Sequence, residues 1–360
     1  MKNYILVTGS LGLIGFEVVK LFIKKGHTVI GIDNDLRGKF FNIKTNYQEK
    51  LKYLNKIYKK NYIHYNLDIR DKKRVLEIFK EDGKNIKAII HTAAQTSHDW
   101  SAKNPVVDFS INATSTLNLL ELYRKYCPKA IFIFTSTNKV YGDLVNNFKY
   151  KESKTRFDLE VKNKYYQGII ENLSIDQSKH SPFGVSKASA DLLVQEYGRY
   201  FNLKTGVFRL GVVAGSGQNG ALEQGFLSYM INKFINNEEF KIIGYKGKQV
   251  RDIIHAKDVA QAFYLYSKSP KKGEVFNLGG GKHNSASILE LIEKVSKIVG
   301  KKPKVTYQNQ PRSGDHKWWI TDCSKFKRIY PSWKVNYNID DIILDIYKQN
   351  YDLQRKIQNY

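Results

Sequence analysis

The chain has 360 residues, of which 42% are hydrophobic and 13% aromatic, so it can bury one large core or two smaller ones and is not intrinsically disordered. No apolar run is long enough to span a bilayer, and the N-terminal residues lack the layout of a signal peptide. The two cysteines, Cys127 and Cys323, lack the spacing of a metal site and indicate a reducing compartment, so we expect a cytoplasmic protein.

A formal net charge of +25 raises the question of nucleic-acid binding. Eleven of the 59 basic residues are arginine, and the lysines are spread along the whole chain without a motif that combines basic and aromatic residues. The charge is therefore interpreted as a solvated lysine surface, which would also attract an anionic substrate. We expect no nucleic-acid, membrane or metal partner.

Short apolar runs alternate with helical patterns along the first half of the chain. The apolar runs predict strands at Tyr4–Thr8, Thr28–Asp33, Tyr62–Leu67, Ala88–Thr92, Ala130–Thr135 and Thr205–Leu210. The helical patterns predict helices at Gly12–Lys25, Lys72–Glu81, Ser110–Tyr126, Ser181–Phe201 and Ser285–Val299. This alternation predicts an α/β fold, a Rossmann-type doubly wound parallel sheet, with a smaller mixed α/β domain beside it.

The two domains are expected to interleave. Residues 1–180 should form the first domain and receive further strands and helices from around residues 181–215 and 240–265. Residues 181–360 should form most of the second domain. Residues Tyr150–Lys179 show little periodicity, so we expect them to run over the surface.

A glycine-rich segment, Thr8–Gly15, follows the first strand and opens the first helix. Its three glycines allow a tight turn and a close approach of the backbone to a pyrophosphate, which would lie at the positive helix N-terminus. Asp33 ends the second strand, and its carboxylate can bond both ribose hydroxyls of NAD while repelling a 2′-phosphate. The sequence therefore predicts that the first domain binds NAD through Gly9, Leu11, Gly12, Leu13, Ile14, Gly15, Asp33 and Asn34.

The Gly-x-x-Gly-x-x-Gly spacing resembles the extended branch of the short-chain dehydrogenase/reductase superfamily, and further motifs of that family follow in order. The resemblance implies additional cofactor contacts from Asp68, Ile69, Ala93, Ala94, Gln95, Asn112 and Thr135. It also implies that Thr137 hydrogen-bonds the reacting oxygen and that Lys187 bonds the nicotinamide ribose. The catalytic tyrosine of the family would stand at position 183, where this chain has Phe183.

Three stretches, 94–100, 135–142 and 223–226 with 247–252, are similar to the CDP-paratose (CDP-tyvelose) 2-epimerase branch of that superfamily. The resemblance implies tightly held NAD, transient oxidation at C2 of a nucleotide-linked hexose and return of the hydride to the other face. Asn138 and Lys139 stand where sugar-nucleotide 4,6-dehydratases carry an acidic pair that expels water, which disfavours dehydration.

Substrate contacts are implied by the same resemblance. The candidates are His98, Asn138, Lys139, Gln224, Arg251 and Arg312. The two arginines would grip the diphosphate of a nucleotide sugar, most plausibly CDP-linked, because guanidinium groups bind phosphate in a bidentate manner. The branch further implies surface-polysaccharide biosynthesis and a homodimer formed through Ser110–Tyr126 and Ser186–Phe201.

Other functions of the chain stay open at this point. A relative with another reaction, such as a 4-epimerase, a reductase or a dehydrogenase, would share most of these motifs. A catalytically silent protein that binds NAD and a sugar nucleotide would share them as well.

Phe183 separates these alternatives. A tyrosine there would lie one helical turn from Lys187, whose ammonium would favour the phenolate as a base. We consider three hypotheses: an engineered replacement of a natural tyrosine, a natural phenylalanine with another base, or a silent relative. The base candidates are Tyr141, Tyr166, His180 and Lys139. Because Lys187, Thr137 and the arginines are retained, the sequence favours the first hypothesis over the third and leaves the second open.

Overall fold

The computed structural model describes residues 3–218, 220, 225–311 and 314–358, with side chains through residue 351. Within these ranges the strands are β1 (Tyr4–Thr8), β2 (Thr28–Asp33), β3 (Tyr62–Asn66), β4 (Ile86–His91), β5 (Ile131–Thr137), β6 (Tyr150–Glu152), β7 (Phe157–Leu159), β8 (Thr205–Leu210), β9 (Val212–Ala214), β10 (Phe240–Ile243), β11 (Val250–His255), β12 (Glu274–Leu278), β13 (Ser285–Ser287), β14 (Val305–Gln308) and β15 (Trp318–Trp319). The helices are α1 (Leu13–Lys24), α2 (Leu36–Phe41), α3 (Tyr47–Ile57), α4 (Lys72–Asp82), α5 (His98–Lys103), α6 (Pro105–Phe109), α7 (Ser115–Tyr126), α8 (Pro182–Arg199), α9 (Phe226–Ile235), α10 (Ala256–Lys268), α11 (Ile288–Val299), α12 (Ser324–Ile329) and α13 (Ile339–Gln358).

The largest sheet is parallel and has the strand order β12-β8-β5-β4-β1-β2-β3. Two hydrophobic clusters cover its two faces, one including α1 and α10 and the other including α4, α7 and α8. Strands buried on both faces need continuous apolar runs, which explains why the sequence reveals them. The chain adds β2 and β3 on one side of β1 and then continues on the other side from β4 to β12, so the order of connection changes direction between β1 and β4. Ligands of such sheets bind at the carboxyl ends of the strands beside that point. The predicted Rossmann-type doubly wound sheet is confirmed.

Smaller sheets lie beyond the carboxyl ends of the parallel strands. β11 pairs with β9, β13 and β15, and β10 pairs with β14. Helices α9, α11 and α13 pack around a third apolar cluster that includes Met230, Phe234, Leu291 and Ile342. Strand β9 and the start of α9 contribute lining residues to a cleft that the loops after β1, β4 and β5 also line.

Residues Tyr150–Lys179 do not simply run over the surface, so that prediction is wrong. They form the β6–β7 hairpin and bury Tyr165, Ile169 and Leu173 against Trp318 and Trp319. Tyr165, Ile169 and Leu173 recur every four positions, but the segment forms turns rather than a helix, so their burial depends on contacts with distant residues and not on a local helix.

Two predicted helices begin later than their patterns indicated. Residues Ser285–Ser287 pair with β11 as a strand, and the Ser287 hydroxyl then caps α11 in a capping box with Glu290. Residues Ser110–Thr114 form a π-helical turn ahead of α7. Both starts are set by contacts with distant strands and loops rather than by the local apolar period.

His91 lies at the end of β4 inside a buried hydrogen-bond chain. Its Nδ1 is 2.6 Å from Thr8 Oγ1, and its Nε2 is 2.9 Å from Thr116 Oγ1. Burial, assisted by the charge of Lys187, lowers the pKa of His91 to about 3. The imidazole therefore stays neutral in the folded protein and ties the glycine-rich loop to α7.

Acidification is expected to destabilise the fold through His91. The unfolded imidazole takes up a proton near pH 6.5 and the folded one only near pH 3, so the folded state binds fewer protons between these values. Lowering the pH from 6 to 4 should therefore remove about 2–3 kcal/mol from the free energy of unfolding. Urea unfolding at both pH values measures this loss. His91→Gln, whose amide does not titrate, should lose correspondingly less, and equal losses in the two proteins would contradict the assignment.

Candidate active site

A cleft of about 510 Å³ opens at the carboxyl ends of the parallel strands. Of the predicted cofactor residues, Gly9, Leu11, Gly12, Leu13, Ile14, Gly15, Asp33, Asn34, Asp68, Ile69, Ala93, Ala94, Gln95, Thr135 and Lys187 line it. The predicted catalytic and substrate residues that line it are Thr137, Phe183, His98, Asn138 and Lys139. One continuous cleft thus brings together segments that are up to 178 residues apart, from Gly9 to Lys187.

The glycine-rich loop has the geometry that a pyrophosphate requires. Gly9 adopts a φ of 69°, and a side chain at Gly15 would lie 2.1 Å from the Gly9 carbonyl oxygen. Helix α1 has no side-chain cap at Gly12 and no acidic residue in its first turn. Its first N–H groups therefore face the cleft without a capping side chain, as an anion site needs.

Asp33 closes the loop from the adjacent strand. Its Oδ2 accepts a hydrogen bond from Leu11 N at 2.9 Å, and its Oδ1 accepts one from Asp35 N at 3.1 Å. Burial raises the pKa of Asp33, while these backbone bonds oppose the rise. Each oxygen keeps acceptor capacity for a ribose hydroxyl, so the carboxylate can serve the role that the sequence predicts.

Lys50 is a cleft residue that the sequence analysis missed. Its buried Nζ donates to Leu11 O and to Gly217 O, both at 3.0 Å, and Asn46 Nδ2 also donates to Gly217 O, at 3.1 Å. Burial lowers the pKa of Lys50 to about 8. Helix α3 thereby links the glycine-rich loop to the loop that follows β9, across the mouth of the cleft.

Lys50→Met is expected to weaken cofactor retention. A hydrogen bond from a charged group contributes about 1.5–3 kcal/mol, so losing this link should weaken NAD binding by about 10–100-fold. The absorbance of the NAD that remains with the purified protein after dialysis measures the loss. Lys52→Met, on the exposed side of the same helix, is the matched control and should retain NAD. Equal retention by both variants would show that the link does not hold the cofactor.

Helix α8 forms one side of the cleft. Ser181 caps the helix by accepting from Gly184 N, and Pro182 occupies the first turn, so the helix begins just before Phe183. The i, i+4 spacing then directs Phe183 and Lys187 into the same cleft. Lys187 Nζ donates to Thr135 O at 2.7 Å, and burial lowers the pKa of Lys187 to about 7.

Thr137 ends β5 and starts a 3-10 turn over Asn138–Tyr141. Its Oγ1 accepts from Lys139 N at 3.2 Å and donates to Asn138 Oδ1 at 3.3 Å. The hydroxyl is therefore held at a fixed place on the cleft wall. Nearby, Thr135 Oγ1 is buried and has no hydrogen-bond partner among the described residues, which fits a wall that contacts a polar ligand.

Phe183 packs against His98 and is almost fully buried. The two ring centroids are 5.1 Å apart in an edge-to-face arrangement, and His98 Nδ1 is 2.6 Å from Ser181 Oγ. Lys139 Nζ donates to Gly314 O at 2.9 Å and lies 3.9 Å from Asp315 Oδ1. We call His98, Thr137, Lys139, Phe183 and Lys187 the catalytic corner.

A family model described as the NAD-dependent epimerase/dehydratase family matches residues 5–279, most of the chain. The chain belongs to the NAD-dependent epimerase/dehydratase family. A CDP-paratose 2-epimerase from Salmonella typhi is 32% identical over 351 residues, covering 95% of this chain and 98% of that protein. A UDP-glucuronate 4-epimerase from Thermodesulfobacterium geofontis is 31% identical, with 99% of each chain covered.

A solved structure of a sugar-nucleotide epimerase is also similar to this chain. The crystal structure of UDP-glucose 4-epimerase with UDP-glucose from Thermotoga maritima has a TM-score of 0.76 and 27% identity, covering 98% of this chain and 99% of that chain. The predicted extended short-chain dehydrogenase/reductase resemblance is confirmed. The protein is an NAD-dependent enzyme of the epimerase/dehydratase family that acts on sugar nucleotides, and the residues of its cleft fit the cofactor.

Asn112 supports the family's cofactor site from behind the cleft wall. Its Oδ1 accepts from Gln95 N, and its Nδ2 donates to Gln95 O and to Ser186 Oγ, all at 3.0 Å. It does not line the cleft. Its position joins the loop after β4 to α8, which is a supporting role rather than a cofactor contact.

The predicted diphosphate contacts have no observed counterpart in the cleft. Arg251 is buried and does not line the cleft, and its guanidinium pairs with Asp315. Gln224 and Arg312 lie outside the described residues. Diphosphate recognition by these three residues stays a prediction.

The four alternative base candidates differ in position. Tyr141 is fully buried and donates to Asn277 Oδ1, and both ring nitrogens of His180 face backbone carbonyls. Neither of them, nor Tyr166, lines the cleft. Among these candidates Lys139 alone belongs to the described cleft lining.

No helix of the described residues has the length and apolar character required to cross a membrane. In the same part of the chain, no group of three or more His, Cys, Asp or Glu side chains is arranged to hold a metal ion.

Proposed function

We propose that this chain is an NAD-dependent sugar-nucleotide 2-epimerase that acts on a CDP-linked hexose. The observation that carries the proposal is the distribution of acids in the cleft. The carboxylates that line it within the described ranges, Asp33, Asp35 and Asp68, follow β2 or β3, whereas Thr137 ends β5. Removal of water needs an acid beside the sugar, so this wall suits oxidation of a hydroxyl better than dehydration.

The similarity to the Salmonella CDP-paratose 2-epimerase supports the position of attack. In this proposal residues 1–180, with the returning segments, hold NAD, and residues 181–360 supply most of the substrate side. Asn138 follows Thr137 on the cleft wall and offers an amide to the sugar. Arg251 would reach the diphosphate only after it leaves Asp315, which it now binds. Arg312 is the second proposed diphosphate contact.

NAD, when bound, accepts a hydride from the sugar carbon and returns it. Thr137 donates its hydroxyl hydrogen to the reacting oxygen and stabilises the charge that develops there. Lys187 orients the nicotinamide ribose, because its Nζ is fixed by Thr135 O. Phe183 and Leu210 present apolar surface that excludes water from the catalytic corner.

The test is incubation of the purified protein with CDP-, UDP- and GDP-linked hexoses, followed by NMR of the sugar at C2 and C4. The proposal expects inversion at C2 with a CDP-sugar. Inversion at C4 would instead support a 4-epimerase, a candidate favoured by the 31% identity to the UDP-glucuronate 4-epimerase. Bound NAD without any turnover would support the silent relative.

A homodimer and a cytoplasmic role in surface-polysaccharide synthesis complete the proposal. Apolar side chains on α7 and α8 are exposed, namely Leu117, Val185 and Leu192. Such a patch on neighbouring helices suits burial against a second copy. Cys127 and Cys323 are free buried thiols, which fits a reducing compartment. Light scattering should give twice the monomer mass, and a monomer mass would contradict the dimer.

A further inference from the structure

The proposed reaction lacks an evident proton acceptor. Oxidation of a sugar hydroxyl requires a group that takes its proton while the carbon gives up a hydride. Phe183 stands where the family has a tyrosine, and its ring cannot do this. If the chain turns over as it stands, another residue of the catalytic corner must accept the proton.

Lys139 is placed to do so. Its backbone N–H donates to Thr137 Oγ1, so its backbone is held beside the hydroxyl that, in the proposed function, contacts the reacting oxygen, and its side chain lines the same cleft. Its Nζ reaches Gly314 O, and a side chain at Gly314 would lie only 3.7 Å from His98 Nδ1. His98 in turn contacts Phe183, so the ammonium lies in the same corner as the missing hydroxyl.

We propose that Lys139 is the proton acceptor that takes the place of the absent tyrosine. This inference rests on the proposed 2-epimerase function. The O–H bond of the C2 hydroxyl breaks, and its proton passes to the neutral amine of Lys139. The C2–H bond gives its hydrogen and both electrons to NAD as a hydride, and the C=O bond forms. The return step runs in reverse, with the ammonium giving the proton back.

The charges around Lys139 agree with this role. Burial lowers the pKa of Lys139 to about 8, the nearby Arg251 lowers it further, and Asp315 opposes the fall. His316 is buried and its pKa lies well below the ordinary value, so it adds no positive charge. A lysine of this kind is partly neutral near physiological pH, as a general base must be.

In the proposed function Lys187 already orients the nicotinamide ribose and His98 holds the start of α8, so Lys139 is the remaining nitrogen base of the catalytic corner. Lys187 Nζ donates to Thr135 O and lies 4.1 Å from the Phe134 ring centroid. His98 bonds Ser181, the residue that caps α8, and packs its ring against Phe183. Substitution of Lys187 or His98 should lower activity, but a tyrosine hydroxyl at position 183 should not restore it.

The experiment compares Lys139→Met, Phe183→Tyr and the double variant with the unmodified protein, using CDP-paratose and NMR. Lys139→Met should lower kcat by about 10²–10⁴-fold, the usual cost of losing a positioned base. The double variant should recover to within about tenfold of Phe183→Tyr alone, because a tyrosine beside Lys187 supplies a new base. Lys149→Met, an exposed lysine, is the matched control and should match the unmodified protein.

A second readout does not depend on turnover. The Nζ pKa of Lys139 in the NAD-bound protein, measured by ¹⁵N NMR of labelled lysine, should lie near 8. The cofactor absorbance of Lys139→Met should match that of the unmodified protein, because the substitution leaves the NAD half of the cleft untouched. An ordinary Nζ pKa would overturn the inference.

The outcomes of these experiments distinguish a failure of the inference from a failure of the proposed function. If Lys139→Met is inactive and Phe183→Tyr does not rescue it, Lys139 holds the substrate or the fold, and the inference is wrong. Normal activity of Lys139→Met also overturns the inference. The inference is overturned as well if Phe183→Tyr restores activity to His98→Gln but not to Lys139→Met. If Phe183→Tyr itself binds NAD but inverts no sugar at C2, the proposed function fails, and the inference fails with it.

Discussion

Gly15→Ala is expected to abolish NAD binding. The added methyl would lie 2.1 Å from the Gly9 carbonyl oxygen and 2.9 Å from Thr92 Oγ1, so α1 and the loop before it must move apart. That movement displaces the helix N-terminus from the pyrophosphate. Overpacking of this kind costs about 1–3 kcal/mol of stability. The larger effect should be on NAD affinity, measured by calorimetry, with a loss of at least about 100-fold expected from a displaced anion site.

Gly300→Ala is the matched control for that substitution. Gly300 ends α11 at a φ of 74° with no atom within 4 Å of the added methyl, and it is remote from the cleft. Alanine there should cost about 1 kcal/mol of stability through backbone strain alone and leave NAD binding unchanged. If Gly300→Ala and Gly15→Ala weakened NAD binding equally, close packing at Gly15 could not be the reason.

Lys187→Met should lower kcat by about 100-fold, because misplacing a reacting group by even 1 Å has an effect of that size. The lysine donates to Thr135 O on β5 and lines the cleft, where the proposed function assigns it to the cofactor ribose. Its loss also leaves Thr135 O without its donor, which should cost about 1–3 kcal/mol of stability. Steady-state kinetics and urea unfolding measure the two effects.

The pattern of effects distinguishes this role from that of Lys139. Loss of Lys187 should weaken NAD binding, and Phe183→Tyr should not restore activity to Lys187→Met, since the phenol needs the neighbouring ammonium. A Lys187→Met variant with normal kcat, or with full rescue by Phe183→Tyr, would contradict the role given to Lys187.

The sequence reveals the nucleotide half of this protein well, because its signals are local. Strands buried on both faces give continuous apolar runs, and the glycine spacing lies within one turn between β1 and α1. Asp33 was predicted from its place after the glycine-rich motif at the end of a strand, and Thr137 from the family resemblance, and both lie at the carboxyl ends of parallel strands. These rules need only short segments of sequence.

The features of the site that the sequence does not reveal depend on contacts between distant segments. Lys50 lies on a mostly polar helix, and its link to Leu11 and Gly217 cannot be inferred from the pattern of α3. The pairing of Arg251 with Asp315 likewise joins residues that are 64 positions apart. Charged side chains carry no periodic signal, so their partners appear only when the chain is folded.

The stereochemical course of the hydrogen at C2 tests the central claim most directly. The purified protein would be incubated with CDP-paratose that carries deuterium at C2, and the product followed by NMR. The account predicts inversion at C2 with the deuterium retained, because the hydrogen leaves as a hydride and returns to the same carbon inside a closed cleft. Exchange of the C2 deuterium for solvent hydrogen, inversion at C4 or loss of water would contradict it.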